Sequence, residues 1–550
     1  MAEHSRKPAA KGTTATPSAS LTLGATGGTG GYAGARRDKR TLRNWSPGAK
    51  SADEDTVPDL AELRGRSRDL VRNSPVAGAA ISGTTTAVVG TGLTLQASLD
   101  NELLRLSPEA LRDWQRKAER IFDHWSGRCD IRRRQHFTQL QDQVFRSALE
   151  SGDLFVLRRH VKRRGDLLGL KLQMIEADRV STPTHRATES RMMDGIELDA
   201  NGAAIAVHVT NRHPQTAFGL NGAEQREWRR VMVLGSVSHR KQVLHIADIV
   251  RPNQTRGVPW LAPVIELVKQ GERLTEAELA AAVVSSYFTV FTKTEGAEGI
   301  ANETLPVGAQ ETNTVPSPSR DLNLGPAAVL DLLPGEEIQI ADPKRPNQAF
   351  EPFMQAIIAQ IGMRLEIPYE VLTKRFQSSY SAARAAMLEA RRFYAKRRRW
   401  LTLDLCRPVY EWVIEESVAT GLLDAPGFDS DPLLREAWLR SLWVGDAYGH
   451  VDPQKEIGAY QLMKAEGWVS DSEATQELRG SDFTDVVVRR KADEELLESV
   501  GMVPSPPEPP APPAGAEPEQ EQEQEQDDGA EPDDDSSNAP NTDGDEGEKE

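Results

Sequence analysis

At 550 residues, 38% hydrophobic and 27% charged, the chain exceeds one ordinary core and should divide into several lobes. It has no apolar run of about 18 residues, which argues against a membrane-spanning helix, and its start, MAEHSRKPAAKGTTATPSAS, lacks the apolar centre of a secretory signal. The formal charge of −17 is unevenly held: residues 501–550 contain 17 acids and one lysine, so the rest carries only −1, too little positive charge for a protein that coats nucleic acid.

Residues 1–55 are rich in Gly, Ser, Thr and Ala, with a basic cluster at Arg36, Arg37, Lys39, Arg40 and Arg43. A segment that buries so little is expected to be a flexible extension. At the other end, proline, acid and glutamine recur without period over 501–550, which predicts disorder. Between these tails, Asp59–Asn73 reads as a helix, and Pro75 suits the first turn of a second one capped by Asn73 or Ser74. Gly90 and Gly92 end that helix, and Leu93 and Leu95 point to a strand. Further helices are expected over Ser107–Trp125 and Phe137–Glu150, the second closed by Gly152.

From Leu154 the period changes to two. LFVLRRH (154–160), LKLQMIEADRV (170–180) and DGIELDANGAAIAVHVT (194–210) read as strands, the last a hairpin turning at Asn201-Gly202. VMVLG (231–235) and VLHIADIV (243–250) are further strand candidates. After Gly257-Val258-Pro259 the helical period returns, from Trp260 to about Tyr287. Residues 290–348 are turn-rich, with a strand expected at Ile338–Ile340, and Phe350–Leu365 is helical up to a stop near Pro368.

The longest helical pattern runs from Ser381 to Thr420, ending at Gly421. Ala383, Met387, Ala390, Tyr394 and Leu401 make one apolar stripe, and Arg384, Arg391 and Arg398 recur every seven residues beside it. Pro408 has no N–H for the carbonyl of Asp404, so the helix should kink or split there. A Trp-containing stretch (Trp438, Trp443) leads to short helices over 453–500, and no internal repeat is present.

The motifs of common chemistries are absent. GxxxxGK[ST], HExxH and GxSxG do not occur, and the fragment GAKS at Gly48–Ser51 lacks the spacing that cradles phosphate. Cys129 and Cys406 stand far apart and outside any CxxC, which argues against a disulfide scaffold or a cysteine zinc site. The expectation is therefore no catalytic residue, no cofactor and no metal. Three basic clusters could meet phosphate: Arg132-Arg133-Arg134, Arg158-Arg159 with Lys162-Arg163-Arg164, and Lys396-Arg397-Arg398-Arg399. A solvated face, or ion pairs with a neighbour, is the plainer account of each. Trp400 could stack on a base, but its place at the edge of an apolar stripe favours a core role.

Four separated stretches resemble, in order, the lambda-type family of phage portal proteins. They are RSRDLVRNSPVAGAAISGTTTAVVGTGLTLQ (66–96), FRSALESGDLFV (145–156) with KLQMIEADRV (171–180), HIADIVRPNQTRGVPWLAPVIELVKQGERLTEAELAAA (245–282), and residues 350–400, from FEPFMQAIIAQIGMRLEIPYEVLT to YSAARAAMLEARRFYAKRRR. The resemblance covers about residues 60–420. It implies an α+β portal fold, with wing, helical stem, clip and helical crown, assembling as a twelve-fold ring around a channel at one capsid vertex. On that plan 56–258 would be the α+β wing, 259–290 the first stem helix, 291–348 the clip and 349–368 the second stem helix. Residues 369–380 would be the tunnel loop, with Lys374, Arg375, Gln377 and Ser378 facing the channel. The long kinked helix and wing return would occupy 381–452, with Arg384, Arg391 and Arg398 as a candidate basic contact face, and the crown 453–500.

The implied role is a structural conduit for DNA packaging and ejection, not an enzyme, found in the virion and, during assembly, in the host cytoplasm. The implied partners are further copies of the chain, terminase, the major capsid or scaffold protein, a head–tail connector, and double-stranded DNA passing without sequence specificity, with no membrane. Two other readings stay open at this point. Another minor capsid or scaffolding component would form no stable closed ring, and a metal-dependent nucleic-acid-processing enzyme with dispersed carboxylates would cleave plasmid in magnesium or manganese.

Overall fold

Helices form where apolar side chains recur at three- and four-residue spacing behind a capping residue. The computed structural model describes residues 32–35, 39–214, 226–286, 290–294, 336–340, 349–375, 380–447 and 453–499. The first helix, α1 (Ala52–Thr56), begins at a capping box in which Ser51 and Glu54 satisfy each other's backbone N–H groups. It corrects the expectation of a flexible extension through residue 55. Asp53 is buried, and its carboxylate accepts from the Thr255 N–H (2.7 Å) and hydroxyl (2.6 Å), so the packed chain begins by Ser51.

Then follow α2 (Leu60–Asn73) and α3 (Pro75–Val88), the latter capped by Ser74 with Pro75 in its first turn, as the sequence predicts. Gly90, at φ +59°, and Gly92, at φ +113°, turn the chain into β1 (Thr94–Ala97). After a short turn of helix, α4 (Asn101–Leu104), come α5 (Pro108–Ser126) and α6 (Phe137–Ser151). Helix α6 buries Phe137, Leu140, Gln141, Val144, Phe145, Ala148 and Leu149, one stripe of a 3.6-residue period. Its buried polar member is satisfied: the Gln141 amide accepts from the Leu93 N–H (2.7 Å) and donates to the Leu93 carbonyl (3.0 Å), closing the backbone ahead of β1.

The β region contains β2 (Asp153–His160), β3 (Leu170–Glu176), β4 (Met192–Met193), β5 (Ile196–Leu198), β6 (Ala204–Thr210), β7 (Trp228–Met232) and β8 (Val243–Ala247). They make two antiparallel sheets, ordered β3-β2-β8 and β4-β5-β6-β7. The β5–β6 hairpin turns at Asn201-Gly202, where Gly202 has φ +84° and the Asp199 carboxylate accepts from the N–H groups of Asn201 and Ala203, each at 2.8 Å. Strand β7 lies three residues earlier than VMVLG suggested, and Ile249 and Val250 fall beyond β8, exposed. In the central strand β2, Leu154 and Val156 face the main helical core while Phe155 and Leu157 face a second cluster with Ile196, Val207 and Val209. The three-stranded sheet is thus sandwiched between helices and the second sheet, which is why β2 is apolar on both faces.

Helix α7 (Ile265–Ser286) starts after a short 3₁₀ turn at Ala262–Val264. Of the expected clip, only β9 (Val290–Thr294) and β10 (Glu336–Ile340) are described, paired antiparallel; the rest of 291–348 and the acidic tail lie outside the described residues. Next come α8 (Phe350–Arg364) and α9 (Tyr369–Thr373), so the expected tunnel loop of 369–380 opens with a helical turn. Helix α10 (Tyr380–Leu401) continues through a π-turn at Thr402–Cys406 into α11 (Arg407–Ala419). The missing N–H of Pro408 is thus accommodated by a widened turn in which Arg407 bonds back to the Thr402 carbonyl. Helix α12 (Pro432–Leu439) leads to β11 (Ser441–Val444), which pairs antiparallel with β1. Helices α13 (Pro453–Ala465) and α14 (Asp471–Arg479) complete the first compact unit, which extends to Phe483. The described part of the second unit is helix α15 (Phe483–Ser499), apart from its first residue. No described helix is long and apolar enough to cross a membrane.

Candidate functional site

The seven-residue spacing of Arg384, Arg391 and Arg398 does bring them to one wall of a groove of about 460 Å³. The opposite wall is acidic and polar: Asp446, Glu456, Tyr460, Gln476 and Glu477. Arg398 is the most committed of the three. It donates to the carbonyls of Val88 (3.0 Å) and Ala87 (3.3 Å), capping the C-terminal end of α3, where unpaired carbonyls and the helix dipole favour a cation. Its Nη atoms also reach the Asp446 carbonyl at 3.4 and 3.5 Å. The Asp446 carboxylate in turn accepts from the Thr91 N–H (2.7 Å) and hydroxyl (2.6 Å). Across the same groove Tyr460 bonds Glu477, and Gln96 of β1 bonds Gln476 (2.8 Å) and Asp482 (2.6 Å). Burial, the Tyr460–Glu477 bond and the nearby acids push the Tyr460 phenol up to about 12. The arginine wall therefore faces carboxylates of its own chain, and among the side chains of α13 and α14 whose burial is described none is fully buried.

Lys374 and Arg375 follow α9. Lys374 ends that helix in the left-handed region, at φ +57°. Arg375 is exposed and pairs with Glu351 of α8 at 2.6 Å, a bond that raises the guanidinium's pKa and lowers the carboxyl's. Gln377 and Ser378 lie outside the described residues. Several arginines of the basic clusters find internal partners. Arg158 pairs with Glu415 (2.9 Å), Arg159 donates to Gln173 (2.8 Å), Arg163 donates to the Ile131 carbonyl (2.9 Å) and Arg397 pairs with Asp248. Trp400 packs on Phe145 with ring centroids 5.9 Å apart, the core role its stripe position favoured.

One constellation had no role assigned from sequence. Arg256, 0% exposed, pairs with Asp153 through Nε to Oδ2 (2.6 Å) and Nη2 to Oδ1 (3.1 Å), and with Asp194 at 2.7 Å. It also donates to the carbonyls of Ala177 (2.9 Å), Val180 (3.1 Å) and Asp194 (2.6 Å). Arg64 reaches the same Asp153 at 3.2 Å, and His245 Nε2 lies 3.0 Å from it. Burial opposes the charge on Asp153, but Arg256, His245 and Arg64 outweigh it and hold the carboxyl well below the usual range. The backbone is equally tight: a Cβ on Gly257 would sit 2.0 Å from the Gly152 carbonyl oxygen. The only readable sign of this joint was the Gln254-Thr255-Arg256-Gly257 segment itself, since Asp153, Arg64 and Asp194 come from distant parts of the chain.

Among the described residues, Glu176, Asp178 and His213 form the one group with metal-ligand chemistry and spacing. The Arg68 guanidinium already pairs with Asp178 and lies 3.9 Å from Glu176, so the charge a metal would neutralise is met by a side chain.

A family model described as "Phage portal protein, lambda family" matches residues 38–398. Portal protein B of Escherichia phage lambda is 23% identical over 499 residues, spanning 87% of this chain and 90% of that protein. The portal protein of Escherichia phage N15 is 23% identical over 497 residues, spanning 87% of this chain and 91% of that one. A chain from the virion of a native gene transfer agent particle aligns over 76% of this chain and 92% of its own length, with 14% identity and a TM-score of 0.39.

Proposed function

Because the chain belongs to the lambda family of phage portal proteins, and is thus a structural protein rather than an enzyme, we propose that it forms the DNA conduit at one vertex of a phage capsid. Family membership across residues 38–398 is the observation that carries this reading. In it, copies of the chain close into a ring of about twelve around a channel, a symmetry expected of a heterologous contact whose rotation closes. The wing, stem, clip and crown would follow the sequence boundaries given above, with α7 and α8 as the stem helices and the segment after α9 turned toward the lumen. Lys374, Gln377 and Ser378 would then be its channel-facing groups, while Arg375 is partly neutralised by Glu351.

A conduit must let DNA slide. Each phosphate neutralised by a protein cation adds to a salt-sensitive affinity, so a strongly basic lumen would hold the duplex. A body of net charge −1 outside the last fifty residues, with many of its arginines paired internally, is compatible with weak contact. Terminase would supply the packaging energy, the capsid or scaffold protein would surround the ring, and a head–tail connector would dock once packaging ends, first in the host cytoplasm and then in the virion. Negative-stain microscopy of the full-length protein, viewed down the particle axis, tests the reading. Closed rings with a hole wide enough for duplex DNA are expected; monomers at every salt and concentration would overturn it.

A further inference from the structure

We propose that α13 and α14 form a displaceable acidic cover over an arginine row of α10, a row that takes the phosphate backbone of duplex DNA when the cover lifts. While the cover is seated, Glu456 and Glu477 stand where phosphates would, and the row does not hold the duplex. The inference rests on the conduit reading above and names how this groove regulates the grip on DNA.

The two sides are opposite in charge. Helix α10 carries seven arginines and lysines against the single acid Glu389, a net +6, whereas residues 453–482 carry six acids and three bases, a net −3. Arg384, Arg391 and Arg398 are half-buried where they line the groove with Glu456, Tyr460 and Glu477. Arg392, Lys396 and Arg399 of the same helix are exposed. The groove collects the seven-residue row and leaves these other cations in solvent. Tyr460 joins the two sides: its phenol bonds Glu477 and lies within electrostatic reach of both Glu456 and Arg391.

Polar contacts, rather than apolar burial, seat the cover. On α13 Leu462 is 70% exposed, and Trp468 just beyond that helix is 76% exposed. The end of α14 is fixed more closely. Gln96 of β1 bonds Gln476 and Asp482, and a Cβ on Gly480 would lie 2.7 Å from the Ala447 nitrogen and 2.8 Å from the Gly445 carbonyl oxygen. Solvated ion pairs are weak and screened, so a competing polyanion displaces them where it could not displace a buried apolar face. The cover therefore opens at α13 and stays attached near Gly480.

The row also suits a duplex. Arg384 and Arg398 stand about 21 Å apart along the helix axis at 1.5 Å per residue, a length over which B-DNA presents about twelve phosphate charges. Arg398 is held by the carbonyls of Val88 and Ala87, which leaves Arg384 and Arg391 to pass from the cover to phosphate. Two neutralised phosphates steepen the fall of log affinity with log salt by about 1.8.

The test is fluorescence anisotropy of a labelled duplex longer than the arginine row, titrated with the full-length chain from low to high salt. Glu456→Gln with Glu477→Gln should bind about tenfold tighter than the wild type at low salt, with a slope steeper by about 1.8. Adding Arg384→Gln and Arg391→Gln to that variant should remove both gains. Adding Arg392→Gln and Arg399→Gln to variant and wild type alike should leave the difference between them in place. Circular dichroism checks that each variant folds. A second measurement needs no variant: saturating duplex at low salt should speed amide exchange in α13 and α14 of the wild type and leave α6 unchanged. Wild-type affinity in the glutamine pair, a gain that survives the loss of Arg384 and Arg391, or exchange in α13 and α14 that duplex does not alter would each overturn the cover. Negative-stain microscopy of the same samples keeps the two readings apart, since the absence of rings defeats the conduit while the anisotropy still reads the cover.

Discussion

Arginine meets carboxylate in two places that differ in almost everything else. At the joint between β2 and the entry to α7, Arg256 and Asp153 are both fully buried, share two hydrogen bonds and are enclosed by Arg64, Asp194 and backbone carbonyls. At the seat of α13 and α14, Arg384, Arg391 and Arg398 face Glu456 and Glu477 across an open groove, and none of the described side chains of either helix is completely buried. A buried pair is expensive to leave half-made, so it enforces one geometry. A solvated set of charges is screened and contributes little per pair, so it holds helices that can still shift. The contrast assigns rigidity to the joint from which α7 departs and compliance to the helical pair at the far end of the sequence.

The same substitution at both places should separate them most clearly. Arg256→Met leaves Asp153 charged, buried and short of its main partner, and should lower the unfolding free energy by about 3–5 kcal/mol. Chemical denaturation read by circular dichroism measures it, and a loss under about 1 kcal/mol would show that the joint is not the rigid element. The pH dependence has a definite sign. The folded pKa of Asp153 is depressed, so its contribution is complete above the unfolded carboxylate value of about 3.9 and is lost as pH falls below it toward the folded value. Denaturation between pH 5 and pH 2 should therefore show stability falling on acidification, and the fall should be shallower in Asp153→Asn.

How far the sequence could be read follows the same division. Helix α6 was legible residue by residue, because a local 3.6-residue period decides it, and the β5–β6 hairpin was legible from Asn201-Gly202 alone. The pairing of β1 with β11 was not, since Thr94 and Val444 meet across most of the chain. Pro408 announced an interruption, but whether the helix would bend, break or widen depends on the packing of Leu405, Cys406 and Val409 in the core. Among site residues, the spacing of Arg384, Arg391 and Arg398 was legible and the three line one groove, but the acids Glu456 and Glu477 beside them come from helices about 60 to 100 residues further along. Arg256 stood in a segment that carried the family resemblance, yet its role depends on Arg64, Asp153 and Asp194, which only the fold collects.

At the seat of α13 and α14, Arg391→Met should cost at most about 1 kcal/mol globally, and less at high salt. Its effect should be local: amide exchange in α13 and α14 should speed up, while α6 exchanges as in the wild type. A uniform acceleration across both regions would join the seat to the rigid core and erase the distinction.

The smallest expected effect is also the sharpest check on the electrostatics, because its sign reverses. Asp404 lies in the π-turn, and its burial pushes its carboxyl pKa up, against a hydrogen bond from Trp400 and the nearby Lys241 and His245. A raised folded pKa means that the folded state disfavours the charged form at neutral pH. The penalty is relieved as pH falls through the folded value, and relief is complete below the unfolded one. Asp404→Asn keeps the shape and removes the charge, so at pH 7 it should change stability by no more than about 0.5 kcal/mol, in the stabilising direction. On acidification toward pH 4 the wild type should gain on this variant, whereas it loses ground to Asp153→Asn over its own acid range. Parallel slopes for the two asparagine variants would mean that the surroundings of Asp153 and Asp404 do not differ in the way their partners indicate.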